Sequence, residues 1–244
     1  MPHRGTGRMA TPKTWLALTN DELARSSHQL PPYPRWTLAS RFWFRVMAGQ
    51  RSPAPDKVKL WDVGNVLELA ADFPMNAAIL DCGAFNSPSP DALVARGFNN
   101  VHGIDLNPAV VWQSSRARVS YTVQDMQCTG FVDSCFDLVV CASAIEHGVD
   151  VARFLRETRR LLKPAGLLYI STDVVRDATP ARHVTCYGLP WTPQTPETLP
   201  DLLDELERHG FARPPDPQLS LPAVLPLEFG GVPLGFVACA THVA

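Results

Sequence analysis

Short apolar segments that end in a polar or acidic residue limit most strongly how this chain can fold. Five such segments follow one another, at residues 77–80, 101–104, 119–123, 136–142 and 167–171. Helix-like stretches lie among them and after them, at residues 90–96, 151–162 and 196–209, and a last strand-like segment covers residues 234–243. Short buried strands that alternate with helices are typical of a parallel sheet covered on both faces. The pattern predicts an α/β fold.

The composition is that of an ordinary globular protein. It is 45% hydrophobic and 19% charged. The length of 244 residues predicts one large domain, or one domain with an appendage. No segment approaches the roughly 20 apolar residues of a membrane span, and the N-terminus lacks the apolar core of a secretory signal. The six cysteines form no C-x-x-C pair, so we expect neither a zinc ribbon nor a thioredoxin-like motif. A reducing, cytoplasmic setting is the simplest interpretation.

Positive charge is concentrated near the N-terminus. Residues 1–60 hold ten Lys and Arg against three Asp and Glu, whereas the rest of the chain holds 12 against 21. This segment is either a basic arm for nucleic acid or an anionic substrate, or a segment that packs on an acidic body. We favour the second interpretation and expect no nucleic-acid partner. We predict a flexible N-terminus at residues 1–14, a helical cap at 15–75 that partly buries Trp36, Trp43 and Trp61 over the cleft, and a ligand-binding domain at 76–244.

Acidic residues stand at the ends of the first three strand-like segments. They are Asp81, Asp105 and Asp125. In open parallel sheets, ligands bind beyond the carboxyl ends of the strands. Asp105 follows Gly83 by 22 residues, near the spacing of about 20 at which an acid accepts hydrogen bonds from ribose hydroxyls. The spacing predicts a nucleoside-like ligand with an unphosphorylated ribose. The alternative is that these acids cap the helices that follow them.

Five segments together resemble the class I S-adenosylmethionine-dependent methyltransferases, of the methyltransferase type 11 kind, over about residues 76–175. In chain order they are Ile79–Gly83, Gly103–Leu106, Gln124–Asp125, Phe136–Val140 and Leu161–Gly166. The resemblance implies a doubly wound, Rossmann-like, mostly parallel seven-stranded sheet whose last strand is antiparallel, in a hairpin at the chain end. It also implies S-adenosylmethionine as cofactor, and methyl transfer to oxygen or nitrogen of a small-molecule or sugar-like acceptor.

The loop after the first strand departs from the family pattern. The family has three alternating glycines there, whereas this chain keeps only Gly83 and continues Ala84-Phe85-Asn86-Ser87. Glycine allows the backbone to approach a ligand closely because it carries no Cβ. The Phe-Asn-Ser loop, together with the later segment Ser143–His147, is similar to a variant in branches of the superfamily that often accompany sugar or cell-surface biosynthesis.

The resemblance implies a role for each matching residue. The loop from Asp81 to Gly83, with Phe85, would face the methionine part of the cofactor, which Ser143 and Ala144 would also line. Asp105 would accept hydrogen bonds from the ribose hydroxyls, and Leu106 would pack near the adenine. Asp125 would accept a hydrogen bond from the adenine amino group, and Met126 would lie against the ring. Carboxylates suit hydroxyl and amino donors.

Catalysis of methyl transfer rests mainly on alignment, and a hydroxyl acceptor must also lose its proton. His147 is the best-placed proton acceptor, and its alternative role is structural, at the start of the next helix. Glu146 is a second candidate, more suited to orienting a loop. The stretch after the fifth strand offers further residues near an acceptor, namely Asp173, His183, Tyr187 and Trp191.

Other chemistries fit the sequence poorly. It contains no Asn/Asp-Pro-Pro-Tyr motif, no phosphate-cradling G-x-x-x-x-G-K-[ST], no G-x-S-x-G elbow and no His/Asp cluster that suggests a metal. Two alternatives to methyl transfer remain open. One is a catalytically silent binding or scaffold protein, motivated by the altered loop around Phe85. The other is a nicotinamide-dependent oxidoreductase, which the loss of two glycines disfavours more strongly.

Overall fold

The computed structural model describes residues 11–27, 57–115, 119–186 and 188–244. These residues form five α-helices: α1 (Asn20–Ser27), α2 (Lys57–Ala70), α3 (Ser89–Ala95), α4 (Val151–Leu161) and α5 (Leu199–Arg208). They also form ten strands: β1 (Lys13–Ala17), β2 (Ala78–Cys82), β3 (Asn100–Asp105), β4 (Val119–Val123), β5 (Phe136–Ala142), β6 (Leu162–Val174), β7 (Thr185–Cys186), β8 (Leu189–Pro190), β9 (Leu227–Phe229) and β10 (Val232–His242). Two 3-10 segments complete the description, Pro108–Ser115 and Pro180–His183.

The main sheet has the strand order β1-β10-β6-β5-β2-β3-β4, and β9 pairs with β10 beside this path. Strands β2 to β6 run parallel to one another, whereas β10 is antiparallel to both β6 and β1. The predicted mostly parallel sheet of seven strands with an antiparallel last strand is therefore confirmed. The order reverses at β2, so that the loops after β2 and β5 adjoin at the edge where ligands bind in such sheets.

Two hydrophobic clusters cover the two faces of the sheet, because side chains alternate along each strand. On one face, Ile79 and Leu138 pack with α2 and α3 residues such as Trp61 and Leu93. On the other face, strand residues pack with α4 and α5, and this cluster includes Leu80, Val139, Phe154 and Leu203. The central strands β2 and β5 are buried on both sides, which explains why their sequences are nearly continuous apolar runs.

The N-terminal part of the prediction needs correction. Lys13–Ala17 is an edge strand paired with Phe236–Ala240, so the predicted boundary between a flexible segment 1–14 and a cap 15–75 falls inside β1. Lys13 also forms an ion pair of 3.0 Å with Glu68 of α2. Trp61 is buried, as expected, and stacks on Phe236 at 6.0 Å between ring centroids. Trp36 and Trp43 lie outside the described residues, and the cap stays a prediction for residues 28–56.

The helix α1 begins with a reciprocal capping box. The Thr19 hydroxyl accepts from the Glu22 backbone N–H at 3.2 Å, and the Glu22 carboxylate accepts from the Thr19 N–H at 3.0 Å. At the other end of the chain, β9 and β10 form a hairpin through Gly230 and Gly231, both with positive φ, as a tight two-residue turn requires.

Candidate functional site

A cavity of about 740 Å³ opens at the carboxyl ends of the parallel strands, and its size is typical of small-molecule sites. Its wall has two parts. The first, which we call the loop half, comes from the loops after β2 to β5 and consists of Gly83, Phe85, Ile104–Asn107, Gln124–Gln127, Ser143 and Ala144. The second, the hairpin half, consists of Glu146–Val149, Asp173, Cys186, Leu189, Leu227–Phe229, Leu234 and Phe236.

Nine of the ten predicted site residues line this cavity. They are Gly83, Phe85, Asp105, Leu106, Asp125, Met126, Ser143, Glu146 and His147. Asp81 is the exception, because it is 1% exposed within β2 and is not part of the cavity wall. The prediction that Asp81 itself faces the ligand is the one that this geometry does not support.

Gly83 is required where the loops after β2 and β5 meet. Its φ is +79°, a conformation that other residues adopt only with strain. A Cβ at this position would lie 2.7 Å from the Ala144 Cβ, which is closer than such atoms can approach. The first glycine of the family pattern therefore serves the contact between two loops of the cavity wall.

The rest of the altered loop is held by hydrogen bonds and by packing. Phe85 is 6% exposed and belongs to a hydrophobic cluster of the core, so this bulky side chain leaves the cavity open. Asn86, with φ +65°, donates its backbone N–H to the Gln113 side chain at 2.9 Å. Gln113 in turn donates to the Ala84 carbonyl at 3.0 Å. Gln113 thus fixes the conformation of this loop through two hydrogen bonds, a role that no sequence motif indicated.

Asp105 connects two segments of the loop half. Its carboxylate accepts from the backbone N–H of Phe85 at 3.0 Å and from that of Asn107 at 2.7 Å. The cap of the following 3-10 segment is Asn107, whose side chain accepts from the Ala109 N–H at 2.9 Å. Asp105 therefore bonds the loop after β2 as well as the segment that follows β3, and its role toward a ligand stays a prediction. Each carboxylate oxygen retains acceptor capacity beyond these bonds, because a carboxylate accepts about four hydrogen bonds.

Asp125 and its neighbour Gln127 shape the far end of the loop half. The Asp125 carboxylate accepts from the Gln127 backbone at 2.8 Å and from its side-chain amide at 3.1 Å. The Gln127 side-chain oxygen accepts from the Asp150 backbone N–H at 3.0 Å. Asp150 is the N-cap of α4. This chain of contacts links the third acidic strand end to the helix that follows β5. Gln127 and Asn107 are cavity residues that the sequence analysis missed.

The segment Ser143–Gly148 leaves β5 in a tight turn and separates the two halves. Ser143 has φ +47°, and its N–H donates to the Ser171 carbonyl at 3.1 Å and to the Ser171 hydroxyl at 3.0 Å. The Glu146 carbonyl accepts from the N–H of Thr192 at 2.8 Å and from its hydroxyl at 3.1 Å. Backbone bonds therefore hold both ends of the segment that presents Glu146 and His147 to the cavity.

Two cysteines of the central strands, Cys82 and Cys141, are buried and are not nucleophiles. Burial raises the pKa of both thiols well above the ordinary value, and the Asp81 carboxylate raises both further. They remain protonated at neutral pH, so neither is a thiolate nucleophile. The described residues contain no group of three or more His, Cys, Asp or Glu side chains arranged to hold a metal ion.

Comparison with known proteins agrees with this geometry. A family model described as a methyltransferase domain matches residues 80–170, which run from β2 into β6 and supply the loop half. Residues 80–170 are therefore similar to a methyltransferase domain. In an alignment of 142 residues, the chain is 31% identical to a ubiquinone biosynthesis O-methyltransferase of Xanthomonas oryzae pv. oryzae. The match covers 55% of this chain and 57% of that relative, so the chain spans little more than half of the relative's length.

Solved structures share the fold of this chain at low sequence identity. A geranyl diphosphate C-methyltransferase from Streptomyces coelicolor A3(2) matches with a TM-score of 0.56 and 15% identity, over 82% of this chain and 86% of the other. The [4+2]-cyclase SpnF matches with a TM-score of 0.55 and 16% identity, over 87% and 97%. The fold is therefore shared by proteins with different reactions, so the function must be inferred from the site residues and not from the fold. Among the described residues, no helix combines the length and the apolar character that crossing a membrane requires.

Proposed function

We propose that this chain binds S-adenosylmethionine in the loop half of the cavity and transfers its methyl group to oxygen or nitrogen of a small molecule. One observation carries the proposal. Nine residues chosen from separate positions of the sequence line one cavity at the carboxyl ends of the parallel strands. The methyltransferase family model covers the residues that form the loop half.

The donor types of the loop half fit this cofactor. Asp105 carries carboxylate oxygens suited to the two ribose hydroxyls, and its side chain is already oriented by two backbone N–H groups. Leu106 is 59% exposed and lines the cavity, so a bound adenine ring would bury its apolar side chain. Asp125 and Met126 provide an acceptor for the adenine amino group and a thioether surface for the ring. Gly83 and Ser143 would hold the methionine part.

When bound, S-adenosylmethionine supplies an electrophilic methyl group on a sulfonium, and transfer leaves S-adenosylhomocysteine as the other product. The residues of the loop half would hold the cofactor so that an oxygen or nitrogen atom of the acceptor could take this methyl group. His147 lines the cavity beyond Ser143 and Ala144 and is the group assigned to take the acceptor's proton. Glu146 is buried beside it, and we assign it a positioning role.

The scaffold alternative loses the observation that motivated it. It rested on a bulky residue in the glycine loop, and Phe85 is packed into the core while the cavity remains open. The test is stabilisation by ligand. At about 100 times its Kd, S-adenosylhomocysteine should raise the unfolding free energy by about 2.7 kcal/mol. For a chain of this length, the melting temperature should rise by roughly 5–10 °C. A rise with NADH and none with S-adenosylhomocysteine would support the oxidoreductase, and no rise with either would support the scaffold.

A further inference from the structure

The hairpin half differs in chemistry from the loop half. It is largely apolar, and its apolar side chains come from the β7–β8 hairpin and from the β9–β10 hairpin: Cys186, Leu189, Leu227, Phe229, Leu234 and Phe236. The charged residues among its described members are acids, and these members include no lysine or arginine. Such a surface favours an apolar ligand body and disfavours a phosphate or carboxylate group, which would meet carboxylates with no lysine or arginine among these members to compensate.

Asp173 is the most constrained of the acids in the hairpin half. It lies near the end of β6, is 7% exposed and stands opposite Phe236 in the register of β6 and β10. Its Oδ2 accepts a hydrogen bond of 2.8 Å from the indole N–H of Trp191. Asp173 is also a residue of the cavity wall. A carboxylate accepts about four hydrogen bonds, so Asp173 can accept one from a donor on a bound molecule in addition to the bond from Trp191.

Trp191 lies behind Asp173 and not in the cavity wall. It is 2% exposed, packs edge-on against Phe229 at 5.1 Å between ring centroids, and donates its backbone N–H to the Val184 carbonyl. The sequence left open whether Trp191 stacks on an acceptor or has a lid or core role, and the structure places it in the core. The indole instead fixes the carboxylate that faces the cavity, while its packing partner Phe229 contributes to the apolar wall.

We propose that the acceptor binds in the hairpin half as an uncharged apolar molecule whose hydroxyl or amino group donates a hydrogen bond to Asp173. Trp191 acts as a positioning residue that holds the carboxylate in place. This inference rests on the proposed function, because the same molecule must reach the methyl group in the loop half. It names a substrate class with an apolar body, a hydrogen-bond donor and no acidic group.

Three matched probes test this proposal: 1-naphthol, naphthalene, which lacks the donor, and 1-naphthyl phosphate, which carries negative charge. The protein is first saturated with S-adenosylhomocysteine, and probe binding is then measured by ligand-observed NMR titration. We expect 1-naphthol to bind at least about tenfold more tightly than either of the other probes. Binding of S-adenosylhomocysteine in the first step tests the proposed function separately, so failure there is distinguishable from failure of the probe series.

Variants locate the effect at the named residues. D173N should lower the preference for 1-naphthol over naphthalene about tenfold, and W191F, which keeps an aromatic ring but lacks the N–H, should lower it in the same direction. D177N alters an exposed aspartate four residues further along the chain and should leave the preference unchanged. A merely structural role would weaken both probes equally. The proposal would be overturned by equal affinity for the three probes, by no binding of 1-naphthol, or by an unchanged preference in either variant. If D173N does not fold, the preference of W191F decides the last point alone.

Discussion

The carboxylate of Asp105, at the end of β3, accepts a hydrogen bond of 3.0 Å from the backbone N–H of Phe85, in the loop after β2. The bond joins the acid assigned to the ribose to the loop assigned to the methionine part. In this chain the loop lacks the additional glycines of the family pattern. Its conformation is held by hydrogen bonds from its backbone N–H groups to the side chains of Asp105 and Gln113. Substitutions at the ribose position should therefore change the shape of the loop as well as the contacts to the ligand.

Gly83 provides a direct test of the contact between two loops. Gly83→Ala should cost about 1–3 kcal/mol of unfolding free energy, because it places a Cβ at positive φ and against Ala144. Affinity for S-adenosylhomocysteine should fall in parallel. The double variant Gly83→Ala with Ala144→Gly removes the collision but not the strain in φ, so it should recover part of the stability. Urea denaturation of the three proteins makes the comparison, and a single variant as stable as wild type would contradict the assigned contact.

The ion-pair network at α4 predicts a stability change in acid. Burial tends to raise the pKa of Glu157, but hydrogen bonds from Arg160 and Thr129 outweigh it and lower the pKa from 4.5 to about 2. A depressed folded-state pKa means that the stabilisation is present above the unfolded value and is lost as the pH falls from about 4.5 towards 2.

Glu157→Gln should therefore reduce stability at pH 7 by about 2 kcal/mol and flatten the fall in stability below pH 4.5. Glu207→Gln is the matched control, because Glu207 is an exposed glutamate of α5. The measurement is the unfolding free energy against pH for the three proteins. A Glu157→Gln curve parallel to that of wild type across this range would show that the network does not hold the carboxylate in its charged form.

His147 is the assigned proton acceptor for a hydroxyl group. His147→Ala should lower turnover by roughly 10²–10⁴-fold and leave the affinity for S-adenosylhomocysteine nearly unchanged, because the imidazole faces the acceptor. The rate should also lose its dependence on a group that titrates near neutral pH. His183→Ala, at an exposed position outside the cavity wall, is the control. The measurement is turnover against pH with an identified acceptor, and identical profiles would reduce His147 to a structural residue.

The loop half could be predicted because its residues follow directly from local sequence. Each acid stands at the end of an apolar strand, and parallel strands bring such ends to one edge of the sheet. The apolar side chains of the hairpin half could not be predicted in this way, whereas its polar residues Glu146, His147 and Asp173 were named from the sequence. These apolar side chains come mainly from a proline-rich tail and from the stretch after β6, and only the pairing of β10 with β6 brings Phe236 beside Asp173. The hairpin at the chain end was expected only from the family resemblance, although the Gly230-Gly231 pair at its turn is a local signal typical of such hairpins.

The strand β1 was missed for a related reason. Its sequence, Lys-Thr-Trp-Leu-Ala, is too short for a clear alternation, and its position in the sheet depends on a partner more than 200 residues later, β10. Tertiary pairing decides such edge strands more than intrinsic preference does. The same holds for Gln113, whose role in fixing the altered loop depends on two contacts across 27 and 29 residues of chain.

Binding of S-adenosylhomocysteine through Asp105 is the property on which the other assigned roles depend. Calorimetric titration into wild type, Asp105→Asn and the surface control Asp72→Asn measures it directly. Loss of the charged acceptor should cost roughly 1.5–3 kcal/mol, so Asp105→Asn should bind about 10–150-fold more weakly, while Asp72→Asn should match wild type. Wild-type protein that binds no S-adenosylhomocysteine, or a folded Asp105→Asn variant that binds it as tightly as wild type, would contradict this assignment of the cavity.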